Sequence, residues 1–136
     1  LDRFTDQQKY VWAIQWYYSE VENGGHDQFF YNDTGIVWEL ALEGLRVIGC
    51  STFAAILEEA VQRIGGYPSK DREARWHEMS MHNADFSDLD MKFYDCEHEL
   101  EQYLRDYVRR NREYLIFDGI VHFPEDYAPD EYEFDE

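Results

Sequence analysis

The sequence predicts an all-α protein: a compact bundle of about five to six helices with an irregular acidic C-terminal tail. Three observations predict it. Apolar residues recur at three- and four-residue spacing through several consecutive segments. Glycines punctuate those segments where a helix must end. No segment alternates apolar and polar residues as a half-buried strand would, with Leu115 to Phe123 the nearest approach. The 136 residues and 44% hydrophobic content suit one domain with a real core, to which 18% aromatic content contributes heavily. The expected division is a helical body over 1–117 and a tail over 118–136.

Thr5 and Gln8 have capping-box spacing, so the first helix is expected to start near Asp6. Val11, Ile14, Tyr18 and Val21 form its buried stripe. Trp12 and Trp16 make a second aromatic row, assigned to a wide core face in preference to a partner or dimer surface. Asn23-Gly24-Gly25 stops the helix, because glycine adopts positive φ without strain. Phe29, Phe30 and Tyr31 then carry too much apolar area for a free loop, so this short turn should dock on neighbouring helices. Gln28 and Asn32, four residues apart, can hydrogen-bond across the junction, and Gly35 makes a second reversal. The stretch reads as a corner piece.

A helix is expected from about Ile36 to Ile48, with Val37, Leu40, Ala41, Leu45 and Ile48 on one face and Gly49 ending it. Ser51 or Thr52 should cap the next, with Phe53, Ile56, Leu57, Ala60, Val61 and Ile64 inward and Gly65-Gly66 as its stop. Ser69 should cap a mixed-charge segment from about Lys70 to Met81, followed by a loop from His82 to Ser87. The last long helix should begin between Ser87 and Asp95 and reach about Arg112, burying Phe93, Leu100, Tyr103, Leu104, Tyr107 and Val108.

Val21, Asn23-Gly24-Gly25, Gln28-Phe29-Phe30, Asn32 and Gly35 resemble the signature of a family of small acidic bacterial proteins that includes a DNA mimic. Similar positions continue through Leu45-Arg46-Val47-Ile48-Gly49 and Ile56-Leu57-Glu58-Glu59-Ala60. They return at Asp90, Phe93-Tyr94 and Tyr107-Val108, so the resemblance spans most of the chain. It implies a mostly helical domain and a homodimer. In one branch it implies occupation of the DNA-binding surface of a transcription regulator.

Charge is the unusual bulk property: 30 acidic against 12 basic residues, a net of −18. Such a surface repels nucleic acid and anionic membranes and attracts basic proteins, so direct nucleic-acid binding is excluded first. Residues 45–84 are balanced, with five acids and five bases, whereas 118–136 hold eight acids and no base. Asp85, Asp88, Asp90, Asp95, Glu97, Glu99 and Glu101 precede the basic run Arg105, Arg109, Arg110 and Arg112. That order partly serves the helix dipole. A duplex carries one charge per roughly 1.7 Å of axis, so the net charge matches about 30 Å, or about nine base pairs. Carboxylates one helical turn apart sit about 5.4 Å from each other. The expected mechanism is competition, with a partner's Arg and Lys pairing with carboxylates in place of phosphates.

The candidate partner-binding residues are therefore Asp85, Asp88, Asp90, Asp95, Glu97, Glu99 and Glu101, with Asp118, Glu125, Asp126, Asp130, Glu131 and Glu133 of the tail. Glu20, Glu22 and Asp27 near the corner are lesser candidates. The alternatives are an immunity or antitoxin-type inhibitor of a basic nuclease or toxin, and a small enzyme using Asn23, His26, Asp27 and Gln28. An enzyme is not the expectation, since no nucleophile elbow, phosphate loop or dinucleotide fingerprint occurs. No metal or cofactor is expected: His77 and His82 are five apart and diverge by about 140° on a helix, not the four apart of a zinc helix. His26, His98 and His122 read as surface or capping residues. Cys50 and Cys96 read as reduced thiols, Cys50 being a small buried residue. With no apolar run of membrane-spanning length and no signal peptide visible, the expected location is cytoplasmic. Asn32-Asp33-Thr34 matches a glycosylation acceptor by chance.

Overall fold

The computed structural model describes residues 4–115. Six helices and one 3₁₀ turn make up these residues, and none is in a strand. They are α1 (Asp6–Tyr31), a 3₁₀ turn (Asp33–Val37), α2 (Trp38–Val47), α3 (Ser51–Gln62), α4 (Arg72–Met81), α5 (Ser87–Arg110) and the short α6 (Arg112–Leu115). The all-α bundle expected from periodicity is what forms. The tail and its six candidate acids, together with the tentative strand beyond Leu115 and His122, lie outside the described residues.

α1 opens with the expected capping box: Thr5 Oγ1 accepts from Gln8 N at 3.1 Å and Gln8 Oε1 accepts from Thr5 N at 2.8 Å. It is helical to Asn23, then breaks at Gly24 and Gly25 and resumes over the aromatic turn to Tyr31. Gly25 sits at φ 77°, where a side chain would be strained. Gly49, Gly65 and Gly66 end α2 and α3 with φ also positive.

The core is built from Val11, Ile14, Tyr17, Val21, Phe29 and Phe30 of α1, Leu45 of α2, Phe53, Leu57 and Ala60 of α3, and Phe93, Leu100 and Leu104 of α5. Its centre is aromatic. Tyr17 meets Phe29 and Phe93 edge-on at ring centroid distances of 5.1 and 5.6 Å, and Phe93 meets Phe53 at 4.9 Å. Such pairs favour one arrangement over others because the ring edges and faces carry opposite partial charge.

The structure corrects several expectations. Trp12 and Trp16 are 39% and 42% exposed, because they point opposite to the Val11–Ile14–Val21 stripe. Tyr17, not Tyr18, is the sealed tyrosine of that helix, and Tyr103 of α5 faces solvent. Neither Ser51 nor Thr52 caps α3: Cys50 occupies the cap position, with no side-chain bond there. Asp71, not Ser69, caps α4 by accepting from Ala74 N at 2.9 Å. Ser69 is taken up by Glu78, to which it donates from both backbone and hydroxyl.

Candidate functional site

The glycine corner is held from three sides, and each hold explains a residue of this stretch. Glu20 Oε1 accepts from Gln28 Nε2 at 2.8 Å and Asn32 Nδ2 at 3.1 Å, bridging the helix before the break to the turn after it. Asp90 of α5 accepts from the His26 backbone N–H at 2.9 Å, supplying from another helix the cap that the restarted turn lacks. A Cβ on Gly25 would stand 2.5 Å from Asp90 Oδ2.

At the other end of the turn, α4 covers the terminal carbonyls. The fully buried Arg75 donates to Phe30 O and Asn32 O, both at 2.6 Å, and to Ser69 O and Lys70 O at 2.9 and 3.3 Å. Arg72 Nε and Trp76 Nε1 donate to Tyr31 O at 2.9 and 2.7 Å. Cations suit this position because the end of a helical turn carries partial negative charge. Burial pulls the Arg75 guanidinium below its ordinary value, with Asp33 and Glu78 pulling it back up. A Cβ on Gly35 would fall 2.8 Å from Arg75 Nε and from Phe29 O, so glycine is required by close approach there.

His26 is not the surface residue its spacing suggested. It is fully buried, with Nδ1 2.6 Å from Asp90 Oδ1 and Nε2 2.7 Å from the Tyr17 hydroxyl. A carboxylate can only accept, so Nδ1 donates to Asp90, while Nε2 shares a hydrogen bond with the Tyr17 hydroxyl. Burial, then the charges of Asp90 and Cys50, raise the Tyr17 hydroxyl well above its ordinary value, so it stays protonated. His26 is thus sealed away from any substrate, which removes one member of the enzyme alternative. Asp27 and Gln28 instead border a shallow open depression with Gly24, Tyr31, Asn32 and Met79. Among the described residues no group of three His, Cys, Asp or Glu side chains is placed to hold a metal ion. Cys50 is buried and Cys96 half-buried, and both are free thiols.

The acids of α5 separate into two rows, each with members seven and four residues apart. Asp88, Asp95 and Glu99, extended by Asp106, follow one flank; Asp90, Glu97 and Glu101 follow the other. On the first flank two of the four acids, Asp88 and Asp106, are paired. Arg63 grips Asp88 through two bonds of 2.7 and 3.0 Å, holding its carboxyl down at about 2. Lys92 shares a groove with Asp95 between α3 and α5, and Arg109 stands 3.8 Å from Asp106. Asp85 is exposed and caps the start of α5 by accepting from Ser87 N and Oγ, bonds that lower its pKa.

The second flank faces α1, where Glu22 and Asp27 join it. Tyr18 donates to Glu101 at 3.0 Å and Tyr94 donates to Val21 O at 2.9 Å, fixing the two helices along this seam. Burial raises Glu22 to about 8, reinforced by a hydrogen bond with Glu97 and by the charges of Glu97 and Glu101. Asp27 is raised by burial and then by Asp90 and Asp85, which outweigh the lowering influence of His26. Among the described residues no Lys or Arg lies within ion-pair distance of Asp27, Asp90, Glu22, Glu97 or Glu101; histidines alone approach, His26 at Asp90 and His98 at 3.9 Å from Glu101.

A match to the DMP19-like protein family covers residues 2–111. The chain belongs to that family. No curated protein and no solved structure matches the chain. The DMP19-like match takes in all six longer elements and both rows of α5. Within this DMP19-like domain, sequence reasoning placed Glu20 and Asp90 among candidate partner-binding acids; in the structure both also hold the corner. It missed His26, Tyr17 and Arg75. Nothing in their spacing marks them, since the partners that tie them to the corner lie 9, 64 and 45 residues away along the chain. No described helix is long and apolar enough to cross a membrane.

Proposed function

We propose that this protein is a DNA-mimic-like inhibitor, whose α1–α5 seam occupies the basic DNA-reading surface of a transcription regulator or another DNA-binding protein in the cytoplasm. The observation that carries the reading is the run of Asp27, Asp90, Glu22, Glu97 and Glu101, which no Lys or Arg among the described residues pairs with. From Asp90 to Glu101 the helix rises about 16 Å, so five carboxyls give about one per 3.3 Å of axis. A single DNA strand offers one phosphate per roughly 3.4 Å. With Glu22 holding its proton at neutral pH, the run still has about one charge per 4 Å. The opposite row of α5 has comparable spacing but pairs Asp88 with Arg63 and Asp106 with Arg109, which makes it the weaker surface for a cation.

Competition follows from chemistry common to both ligands. Arginine forks that grip phosphate also grip carboxylate, and a seam already lacking basic neighbours gains most from their arrival. The test is capture of partners on the immobilised protein at low salt, followed by elution with salt and, separately, with duplex DNA. The expected result is a basic DNA-binding protein released by both, and lost when Glu97 and Glu101 are changed to Lys. An affinity that stays constant from low to high salt for each basic protein tried would overturn the reading. A captured nuclease in place of a regulator would favour the inhibitor of a toxin.

A further inference from the structure

The depression beside the glycine corner is bordered by Gly24, Asp27, Gln28, Tyr31, Asn32 and Met79, with one carboxylate and no cationic side chain among them. Gln28 and Asn32 each donate one amide N–H to Glu20, and since Glu20 is a carboxylate the assignment of nitrogen and oxygen is fixed by chemistry. Their amide oxygens take no part in those bonds. Gln28 Oε1 lies against the backbone of Gly24, where a Cβ would come within 2.1 Å of it. Asp27 adds a carboxylate with no basic partner among the described residues, in a negative field from Asp90 and Asp85. The aromatic wall is Tyr31, half exposed and stacked on Trp76 at 4.6 Å, and Met79 adds a polarisable thioether.

We propose that this depression is a seat for an arginine side chain of a basic protein partner. It rests on the reading of the protein as a ligand for basic surfaces, and adds a specific position away from the α5 rows. A guanidinium carries five donors and no acceptor, so it can grip the Asp27 carboxylate as a fork and reach the amide oxygens beside it. Its planar face suits an aromatic wall. The molecule already uses that pairing nearby: the guanidinium carbon of Arg72 lies 5.4 Å from the Tyr31 ring centroid and 4.7 Å from that of Trp76. A phosphate or other anion is disfavoured at the same place by the Asp27 carboxylate and by the negative field of Asp90 and Asp85.

The test is an NMR titration of the full chain with acetyl-Gly-Arg-Gly-amide, and with the same peptide carrying citrulline, the neutral isostere. The Met79 methyl and the side-chain amides of Gln28 and Asn32 should shift with the arginine peptide and stay in place with the citrulline one. Asp27→Asn should weaken binding about fivefold, the size of one exposed charge pair. Removing this charge relieves repulsion from Asp90 and Asp85, so the variant should melt no lower than the parent. Shifts confined to Glu97, Glu101 and their neighbours would overturn the seat while leaving the acidic seam as a partner surface. An equal response to the citrulline peptide would overturn it also, and no response to any basic peptide would overturn both readings.

Discussion

Arg75 offers a direct test of what holds the corner. Replacing it by Met keeps most of the apolar stem and removes the guanidinium that reaches four carbonyls. Ser69 O and Lys70 O sit at the outer end, and water replaces part of what they lose. Asn32 O keeps its bond from Gly35 N at 3.0 Å, whereas Phe30 O, at 2.6 Å, loses its partner beneath a fully buried side chain. An orphaned buried acceptor costs about 1–3 kcal/mol and a lost hydrogen bond about 1 kcal/mol, so the change predicts a loss of about 3 kcal/mol. Against a total of about 5–15 kcal/mol for a domain of this kind, that is a large fraction. At about 4 °C per kcal/mol it lowers the melting temperature by about 12 °C. Urea unfolding followed by tryptophan fluorescence and circular dichroism measures it. Arg75→Lys should recover less than half, since an ammonium is a point charge and cannot span four diverging acceptors. A loss below about 1 kcal/mol for Arg75→Met, with the urea dependence unchanged, would show that the buried cation is not what fixes the turn.

Gly35→Ala should cost about 1–3 kcal/mol in the same assay, because its methyl must displace Arg75 Nε or the Phe29 carbonyl; a neutral result would mean the turn shifts freely. Trp12→Ser and Trp16→Ser, on an exposed face, should each change stability by less than about 0.5 kcal/mol, and a larger loss would put them back in the core. Glu22 predicts an inverted pH dependence. Its folded value of about 8 lies above its ordinary 4.5, so the folded chain binds a proton that the unfolded chain has released between those limits. Stability contributed by this group is therefore present below pH 4.5 and falls as pH rises toward 8. Solvent screening of a side chain that reaches the surface reduces the effect to about 1–2 kcal/mol. Glu22→Gln should flatten the slope across that window, as read from melting temperatures, and an unchanged slope would refute the shared-proton account.

The elements were legible because they depend on local patterns. The capping box at Thr5, the apolar stripe of α3 and the positive-φ glycines are settled within a few residues of each other, so spacing alone reveals them. Trp12 and Trp16 were misread for the complementary reason. A long aromatic row is compatible with core or surface, and only the position of α5 and α2 around α1 decides which side is covered. The corner was legible as a structural piece but not in its fastenings. Glycine at 25 and 35 is visible in the sequence, yet the demand for it comes from Asp90, 65 residues on, and from Arg75, 40 residues on. The acids show the same division between what composition reveals and what position adds. Their number and their bias toward α5 could be counted, and the seven-and-four spacing of two rows could have been read from the helix period. Which row is left negative could not, because neutralisation of Asp88 comes from Arg63 at the end of α3, and reinforcement of Glu97 comes from Glu22 on α1. A charge becomes part of a binding surface when its neighbours in space fail to cancel it, and that condition is set by packing. The seam between α1 and α5 meets it, whereas Asp90 within the seam serves two ends at once. One oxygen accepts from both the backbone and the ring of His26, and its residual charge adds to the negative field on Asp27. The corner and the acidic seam are therefore coupled through one carboxylate: a change that loosens the turn also displaces a charge from the row.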